Sequence, residues 1–206
     1  MRKGQLLIVS APSGAGKTSL VGALLTQDDD LVVSVSHTTR DKRPRERDGV
    51  DYHFVDAKTF AAMVEEGAFL EYAEVFGHWY GTARQAVAEE LARGHDVVLE
   101  IDWQGARMIR AEFPHAVDIF ILPPSRAELA TRLKGRGEDD PEVINRRMSE
   151  ARKEMSHYND YTNLVVNDDF VEALAHIAAI VKAARCGRRL PRQDMKILLD
   201  ELLSEN

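Results

Sequence analysis

The chain has 206 residues, a formal net charge of −7 and one cysteine. This length allows one large domain or two small ones, and the acidic balance argues against a general nucleic-acid binder, which needs a basic surface. A single cysteine excludes an intrachain disulfide and favours a reducing compartment. The N-terminal apolar segment is too short for a signal peptide, and no stretch approaches the roughly 18 apolar residues of a membrane span. We therefore expect a cytoplasmic protein that binds neither nucleic acid nor membrane.

The segment LLIVSAPSGAGKTSL (6–20) has the pattern of a phosphate-binding P-loop. An apolar run typical of a buried parallel strand is followed by a loop of small residues and then by a segment with helical character. Gly16, Lys17 and Thr18 match the end of the pattern G-x-x-x-x-G-K-[ST], whereas Ala11 replaces its first glycine. We expect Lys17 to neutralise charge on the β- and γ-phosphates and the Thr18 hydroxyl to ligate Mg²⁺. A P-loop alone indicates only that a nucleoside triphosphate is bound, and the predicted loop is Ala11, Pro12, Ser13, Gly14, Ala15, Gly16, Lys17 and Thr18.

Strand-like and helix-like segments alternate along the rest of the chain, which predicts a parallel sheet flanked by helices. The predicted strands are 31–35, 51–55, 97–102, 117–122 and 163–167, with further short strands in 68–76. The predicted helices are 18–27, a helix capped by Asp56 and ending near Gly67, 82–93, 103–112, 125–134, 141–157 and 169–185. The residues between 36 and 82 separate two sheet strands and predict an inserted β-rich subdomain. Beyond Pro191, apolar residues at helical spacing predict an amphipathic helix, which packs back on the domain or, as the second option, forms a subunit contact.

Two carboxylates end the most apolar predicted strand, at Glu100 and Asp102. The carboxyl end of a parallel strand is where a Walker-B carboxylate faces Mg²⁺ and its waters. Helix capping is the structural alternative for either residue. The sequence Asn167-Asp168-Asp169 lacks the lysine of the base-reading N-K-x-D sequence of guanine-specific GTPases, so it does not favour that class.

Two basic clusters indicate where phosphate groups could bind. Arg40 and Arg43 lie close together, and two guanidinium groups with a tyrosine hydroxyl suit a compact dianion such as a monophosphate. The second cluster comprises Arg132, Lys134, Arg136 and the segment 145–147. Glycines within it would let arginines close over a transferring phosphoryl group and exclude water. A solvated loop and an ordinary charged helical hairpin are the respective structural alternatives.

In this combination the chain resembles guanylate kinases of bacterial type, from about residue 4 to 185. The matching stretches are SAPSGAGKT (10–18), VSHTTRDKRP (35–44), DYHFV (51–55), FLEYA (69–73), WYGT (79–82), EIDWQG (100–105), ILPPS (121–125), RLKGRG (132–137) and VVNDD (165–169). The chain departs from the expected pattern at three positions, where Ala11, Thr82 and Glu100 stand. Each keeps the polar or steric character of the position.

The resemblance implies an α/β fold of P-loop NTPase type with three parts. A guanylate kinase-like domain would span 4–185, with a core (4–35, 83–124 and 158–185), a GMP-binding subdomain (36–82) and a helical lid (125–157), followed by a C-terminal extension (186–206). The implied GMP-phosphate ligands are Arg40, Arg43, Tyr52 and Tyr80. The implied guanine-reading residues are Ser36, Glu71, Thr82 and Asp102, and Glu100 touches either GMP or the magnesium shell. The implied catalytic residues are Lys17, Arg132, Arg136 and Arg147, and Asn167 joins the ATP-binding set.

The implied reaction is ATP + GMP ⇌ ADP + GDP, with Mg²⁺ as cofactor and dGMP as a second acceptor. Guanine presents adjacent N1–H and N2–H₂ donors that one carboxylate, such as Glu71, can accept together, whereas adenine presents a bare acceptor at N1. Two alternatives are a related P-loop kinase that phosphorylates another phosphorylated acceptor, such as a ribose phosphate, and a non-catalytic module that binds phosphopeptides. Glu71 with Asp102 argues against the first, and Lys17 with the lid arginines against the second. A homo-oligomer is compatible with the sequence.

Overall fold

The computed structural model describes residues 4–134 and 141–186, which form a central sheet, a smaller second sheet and covering helices. In chain order the elements are β1 (Leu6–Ser10), α1 (Lys17–Leu25), β2 (Leu31–Val33), β3 (His37–Thr38), β4 (His53–Phe54), α2 (Ala57–Glu65), β5 (Phe69–Val75), β6 (His78–Ala83), α3 (Arg84–Arg93), β7 (Asp96–Glu100), α4 (Trp103–Glu112), β8 (Val117–Leu122), α5 (Arg126–Lys134), α6 (Pro141–Met155), β9 (Asn163–Val166) and α7 (Phe170–Cys186). A 3₁₀ turn, Tyr158–Asp160, joins α6 to β9. The predicted amphipathic helix beyond Pro191 lies outside the described residues.

The central sheet has the strand order β2-β7-β1-β8-β9, and every neighbouring pair is parallel. Side chains alternate along β1: Leu7 and Val9 pack with α1 and α7, whereas Leu6 and Ile8 pack with α3 and α4. Burying one such side chain contributes about 1.5–3 kcal/mol, and a strand covered on both faces can use this contribution at every position. This two-sided covering explains the unbroken apolar run of β1 and confirms the predicted α/β fold.

The strand order brings the two chemistry-bearing segments to the same edge of the sheet. β1 and β7 are neighbours, with Val9 opposite Glu100. The P-loop that follows β1 and the acidic segment that ends β7 therefore emerge side by side. Open α/β sheets bind their ligands at this carboxyl edge.

The second sheet, with the order β4-β3-β6-β5, lies within residues 37–83. Phe60 of α2 stacks on Phe69 of β5, with ring centroids 4.7 Å apart, and Phe60 is buried. The Asp56 carboxylate accepts a 2.6 Å hydrogen bond from the Thr59 N–H and caps α2 as predicted. The sheet is the β-rich insertion expected between two strands of the central sheet.

The sequence pattern misplaced one boundary of this insertion. The helix predicted over 82–93 begins at Arg84, and Thr82 instead belongs to β6, where it pairs with Glu71 of β5. The Gly94 end of that helix is confirmed, because Gly94 adopts φ +93° and closes α3. Strand β6 was not predicted, although Trp79, Tyr80 and Thr82 are residue types enriched in strands and were the available signal.

Helices α5 and α6 form a separate pair with a small core of their own. Leu129 and Leu133 of α5 pack on Ala151 of α6, and all three are buried. This pair occupies the region predicted as the lid. The C-terminal end of α6 lies beside the P-loop, where Glu154 contacts Ser13.

The β5–β6 hairpin contains a residue whose replacement should stabilise the fold. Phe76 has φ +54° and is followed by Gly77 at φ +78°, a turn in which both central residues are left-handed. A side chain in this region costs roughly 1–2 kcal/mol, and Phe76 is 55% exposed, so little packing offsets that cost. We expect Phe76→Asn to raise the free energy of unfolding by about 1 kcal/mol in urea titrations, because Asn tolerates this turn. An unchanged or lower stability would contradict this account, and Val50→Asn, at an exposed apolar residue, is the control.

Candidate active site

The P-loop connects β1 to α1 through two glycines in left-handed backbone. Gly14 has φ +89° and Gly16 has φ +95°. A Cβ at position 16 would also lie 2.4 Å from Asn167 Nδ2, so no other residue fits there. Among the described residues, Phe76 is the only non-glycine with positive φ. Ala11 therefore lies in ordinary backbone, and the missing first glycine of the pattern costs no strain.

Asn167 holds the P-loop against the ends of β8 and β9. It is buried at the end of β9, and its Nδ2 donates a 2.7 Å hydrogen bond to the Ala15 carbonyl. Its backbone N–H donates to the Leu122 carbonyl at 2.8 Å. Asn167 thus ties the loop to β8 and β9, and a direct contact with ATP stays a prediction.

The P-loop threonine contacts the carboxylate that ends β7. Thr18 Oγ1 donates to Glu100 Oε2 at 3.1 Å. A hydroxyl and a carboxylate oxygen are ligands of the kind that Mg²⁺ takes in proteins, alongside nucleotide phosphates and water. The donor chemistry therefore fits Mg²⁺, and it places Glu100 beside the predicted metal ligand.

Glu71 is a buried carboxylate at the floor of the cleft. The side chain is 3% exposed, and its Oε1 accepts a 2.5 Å hydrogen bond from the Thr82 hydroxyl. Burial raises the pKa of Glu71 to about 7, and the Asp102 carboxylate adds to the effect. A Cβ at Gly105 would lie 2.3 Å from Glu71 Oε2, so the α4 backbone approaches this group closely. Hydrogen-bond donors of a ligand would favour the ionised form of Glu71 and so lower its pKa.

Asp102 has a structural role at the start of α4. Its Oδ1 accepts from the Gly105 N–H and its Oδ2 from Gln104 Nε2, both at 2.9 Å. This is the helix-capping alternative considered from the sequence. Asp102 nevertheless lines the same cleft as Glu71, so capping and ligand contact are compatible.

One cleft of about 260 Å³ joins these groups. Its lining combines the P-loop with residues of the second sheet and the end of β7. The lining residues include Ala11, Pro12, Ser13, Gly14, Gly16, Lys17, Thr18, Ser36, Tyr52, Glu71, Tyr80, Glu100, Asp102 and Glu154. The tertiary structure thus brings the predicted donor loop and most of the predicted acceptor residues into one cleft.

A neighbouring cavity of about 650 Å³ is lined by four arginines from two elements. Arg40 and Arg43 come from the loop after β3, and Arg146 and Arg147 come from α6. Ser13 and Tyr80 line both this cavity and the first cleft. Four guanidinium groups beside a P-loop residue have the charge and geometry that suit a compact dianion.

Arg40 is held in place by a partner that sequence reasoning missed. Its Nη1 and Nη2 donate to the two oxygens of Glu46 at 3.1 and 2.8 Å, and its guanidinium lies over the Tyr52 ring. The Arg40 guanidinium lowers the pKa of Glu46. Arg43 also donates its backbone N–H to Glu46, at 2.8 Å. The one acidic residue within the basic run 42–47 was the available signal.

One predicted catalytic residue, Arg132, lines neither of the two cavities. Arg132 donates from Nε to Glu128 at 2.8 Å and from Nη2 to the Asn167 carbonyl at 3.2 Å. Arg136 lies outside the described residues. Of the predicted catalytic arginines that the structure describes, Arg147 lines the cavity with Arg40, Arg43 and Arg146.

Within residues 4–134 and 141–186, no group of three or more His, Cys, Asp and Glu side chains is arranged to hold a metal ion. In the same ranges, no helix is long and apolar enough to cross a membrane.

Comparisons with known proteins agree with this arrangement. The sequence model of the guanylate kinase family matches residues 3–184. A guanylate kinase of Alkalilimnicola ehrlichii is 60% identical over 191 residues, covering 93% of each chain. A guanylate kinase of Vibrio parahaemolyticus is 54% identical over 207 residues, covering 100% of each chain. The crystal structure of guanylate kinase from Anaplasma phagocytophilum superposes with a TM-score of 0.74 at 35% identity and covers 89% of this chain and 87% of that one.

The P-loop on a parallel sheet, next to a separate arginine-lined cavity, defines a P-loop phosphotransferase with its own acceptor site. The family match over nearly the whole chain is more specific. The chain belongs to the guanylate kinase family.

Proposed function

We propose that the protein transfers the γ-phosphoryl group of ATP to GMP, giving ADP and GDP, and that it also accepts dGMP. The observation that carries this proposal is the single cleft in which the P-loop faces Glu71, joined through Ser13 and Tyr80 to the four-arginine cavity. The family and its closely similar members support the same reaction. The ribose-phosphate kinase and the phosphopeptide module gain no support from them.

The donor half of the proposed site is the P-loop. The loop residues 11–18 and the N-terminal end of α1 would surround the ATP phosphates with backbone N–H groups. Lys17 would neutralise charge on the β- and γ-phosphates, and Asn167 would keep the loop in shape through the Ala15 carbonyl. The described contacts are compatible with each of these roles.

Mg²⁺ is the proposed cofactor. Thr18 and Glu100 would hold it together with phosphate oxygens. When bound, the ion supplies charge neutralisation of the phosphates. We assign Glu100 to this shell rather than to GMP because Thr18 Oγ1 donates to it.

The acceptor half is proposed to consist of a phosphate end and a base end. The phosphate end would bind the GMP phosphate through Arg40, Arg43, Tyr52 and Tyr80. Arg147 would contribute a further guanidinium group from α6. At the base end Glu71 would accept from guanine N1–H and N2–H₂, with Ser36, Thr82 and Asp102 around it. Positioning and charge stabilisation then supply most of the catalysis, without a covalent intermediate.

Acceptor selectivity tests this proposal. The purified protein is incubated with Mg-ATP and, separately, with GMP, dGMP, AMP, CMP and UMP, and ADP release is followed. We expect turnover with GMP and dGMP and turnover lower by about 10⁴-fold or more with AMP, because adenine would leave the buried carboxylate unpaired. Activity on AMP alone, or on none of the five, would contradict the proposal.

We further propose that the enzyme works in the cytoplasm. Its one cysteine, Cys186, is a free and exposed thiol, which suits a reducing compartment. Whether it works as a homo-oligomer can be measured directly by sedimentation.

A further inference from the structure

The C-terminal end of α6 contacts the core at two points that the proposed mechanism does not use. The Glu154 carboxylate accepts a 3.0 Å hydrogen bond from the Ser13 N–H of the P-loop. Three residues later, His157 stacks on Trp103 at the start of α4, with ring centroids 3.8 Å apart and planes 7° apart. The last turn of α6 is thus attached to the donor loop, and the segment just after the helix is attached to the element that follows β7.

The charge of Glu154 makes its position unexpected. It lines the cleft with the P-loop, where a carboxylate repels a triphosphate. Burial raises the pKa of Glu154, and the Ser13 N–H and Lys17 oppose this shift. An anionic side chain beside a polyanion site costs affinity, so the contact requires a compensating benefit.

The helix geometry indicates that benefit. Glu154 and Arg147 are seven residues apart on α6, which is two turns, or about 10 Å along the axis and nearly the same face. Arg147 lines the cavity that Arg40 and Arg43 share. Fixing Glu154 against the P-loop therefore restrains the rotation of the helix segment that carries Arg147.

We propose that Glu154 is a positioning residue whose hydrogen bond to the Ser13 N–H, together with the stack of His157 on Trp103, anchors α6 so that Arg147 faces the acceptor phosphate. Ser13 lines both the cleft and the arginine cavity, so the anchor links the donor loop to the acceptor site. This inference rests on the proposed kinase function.

The test compares Glu154→Ala with Glu154→Gln in the full-length protein, with both substrates saturating. We expect kcat to fall by about 10- to 100-fold in Glu154→Ala, because misplacing a catalytic group by about 1 Å costs up to that factor. KM for GMP should change by less than about threefold, whereas KM for ATP should fall in both Glu154 variants, because each removes the negative charge beside the triphosphate site. Glu154→Gln should recover most of kcat, because the amide oxygen still accepts from the Ser13 N–H. Lys153→Ala, an exposed residue on the same helical turn, is the matched control.

Arg147→Ala provides the decisive comparison. If Glu154 acts through Arg147, adding Glu154→Ala to Arg147→Ala should lower kcat by less than about twofold further, since coupled residues are not additive. Multiplicative losses would overturn the proposal. A lower KM for ATP at unchanged kcat in Glu154→Ala would also overturn it, because the carboxylate would then only compete with the triphosphate.

A readout without activity separates this inference from the reaction itself. Amide hydrogen exchange at Ser13 should accelerate in Glu154→Ala but not in Glu154→Gln or Lys153→Ala. Equal exchange in all four proteins, wild type included, would refute the anchor. Absence of GMP phosphorylation by the wild type would instead refute the proposed function and leave the exchange result informative. His157→Phe, which keeps the stack, should have a higher kcat than His157→Ala.

Discussion

Lys17→Ala should lower turnover of ATP with GMP by about 10³-fold or more, because catalysis of phosphoryl transfer depends mainly on stabilising charge at the transferring group. Lys17 lines the cleft with Thr18 and Glu100, at the place where the β- and γ-phosphates are proposed to lie. The measurement is kcat at saturating ATP and GMP. Near-normal turnover in Lys17→Ala would contradict the proposed role of the P-loop in phosphoryl transfer.

The Lys17 variant needs a control for loss of a surface charge. Lys58→Ala removes an exposed lysine from α2, outside both cavities, and should leave kcat unchanged. The urea midpoint of Lys17→Ala should stay close to that of the wild type, since Lys17 is only partly buried. A large stability loss would mean that the lost turnover reflects unfolding.

Glu71→Gln should reduce the preference for GMP over AMP by about 100-fold or more. The glutamine amide keeps one acceptor but places an N–H₂ group against the guanine donors. The ratio of kcat/KM values for the two acceptors measures the effect. Glu74→Gln, an exposed carboxylate on the same strand, serves as the matched control, and equal ratios in the two variants would refute guanine reading by Glu71.

The raised pKa of Glu71 also predicts how GMP affinity depends on pH. Guanine donors favour the ionised carboxylate, so binding lowers the Glu71 pKa from about 7 and releases a proton. Affinity for GMP should therefore rise between about pH 5.5 and 7.5. The phosphate of GMP also titrates in this range, so the affinity of the wild type for GMP is compared with that of Glu71→Gln at each pH. The pH dependence that is lost in the variant is the contribution of Glu71.

The same pKa has an opposite consequence for stability without nucleotide. The folded protein holds the Glu71 proton up to about pH 7, whereas the unfolded chain releases it near 4.5. The contribution of Glu71 to the free energy of unfolding is therefore greatest below about pH 4.5. It falls by about 3 kcal/mol as the pH rises from there through about 7. Glu71→Gln should lack this decline and be more stable than the wild type at pH 8 in urea titrations.

Sequence patterns were sufficient for the local features of this protein. The P-loop, the apolar run of β1 and the Asp56 cap are written in consecutive residues, because strands, turns and caps depend on neighbours along the chain. The roles of Arg40 and Glu71 required the resemblance to a family, since neither residue type specifies a ligand by itself. They remain predictions: the structure places Glu71 in the cleft and Arg40 at the arginine-lined cavity, whereas Arg132 lines neither of the two.

Motifs along the chain were enough to indicate the α/β class, the P-loop and the family. Which residues contact one another follows from the folded arrangement: Glu46 with Arg40, Thr18 with Glu100, and Glu154 with Ser13. The last two pairs are separated by 82 and 141 positions in the chain. No periodicity or spacing reports contacts at that separation, because they arise from strand order and helix packing rather than from neighbouring residues.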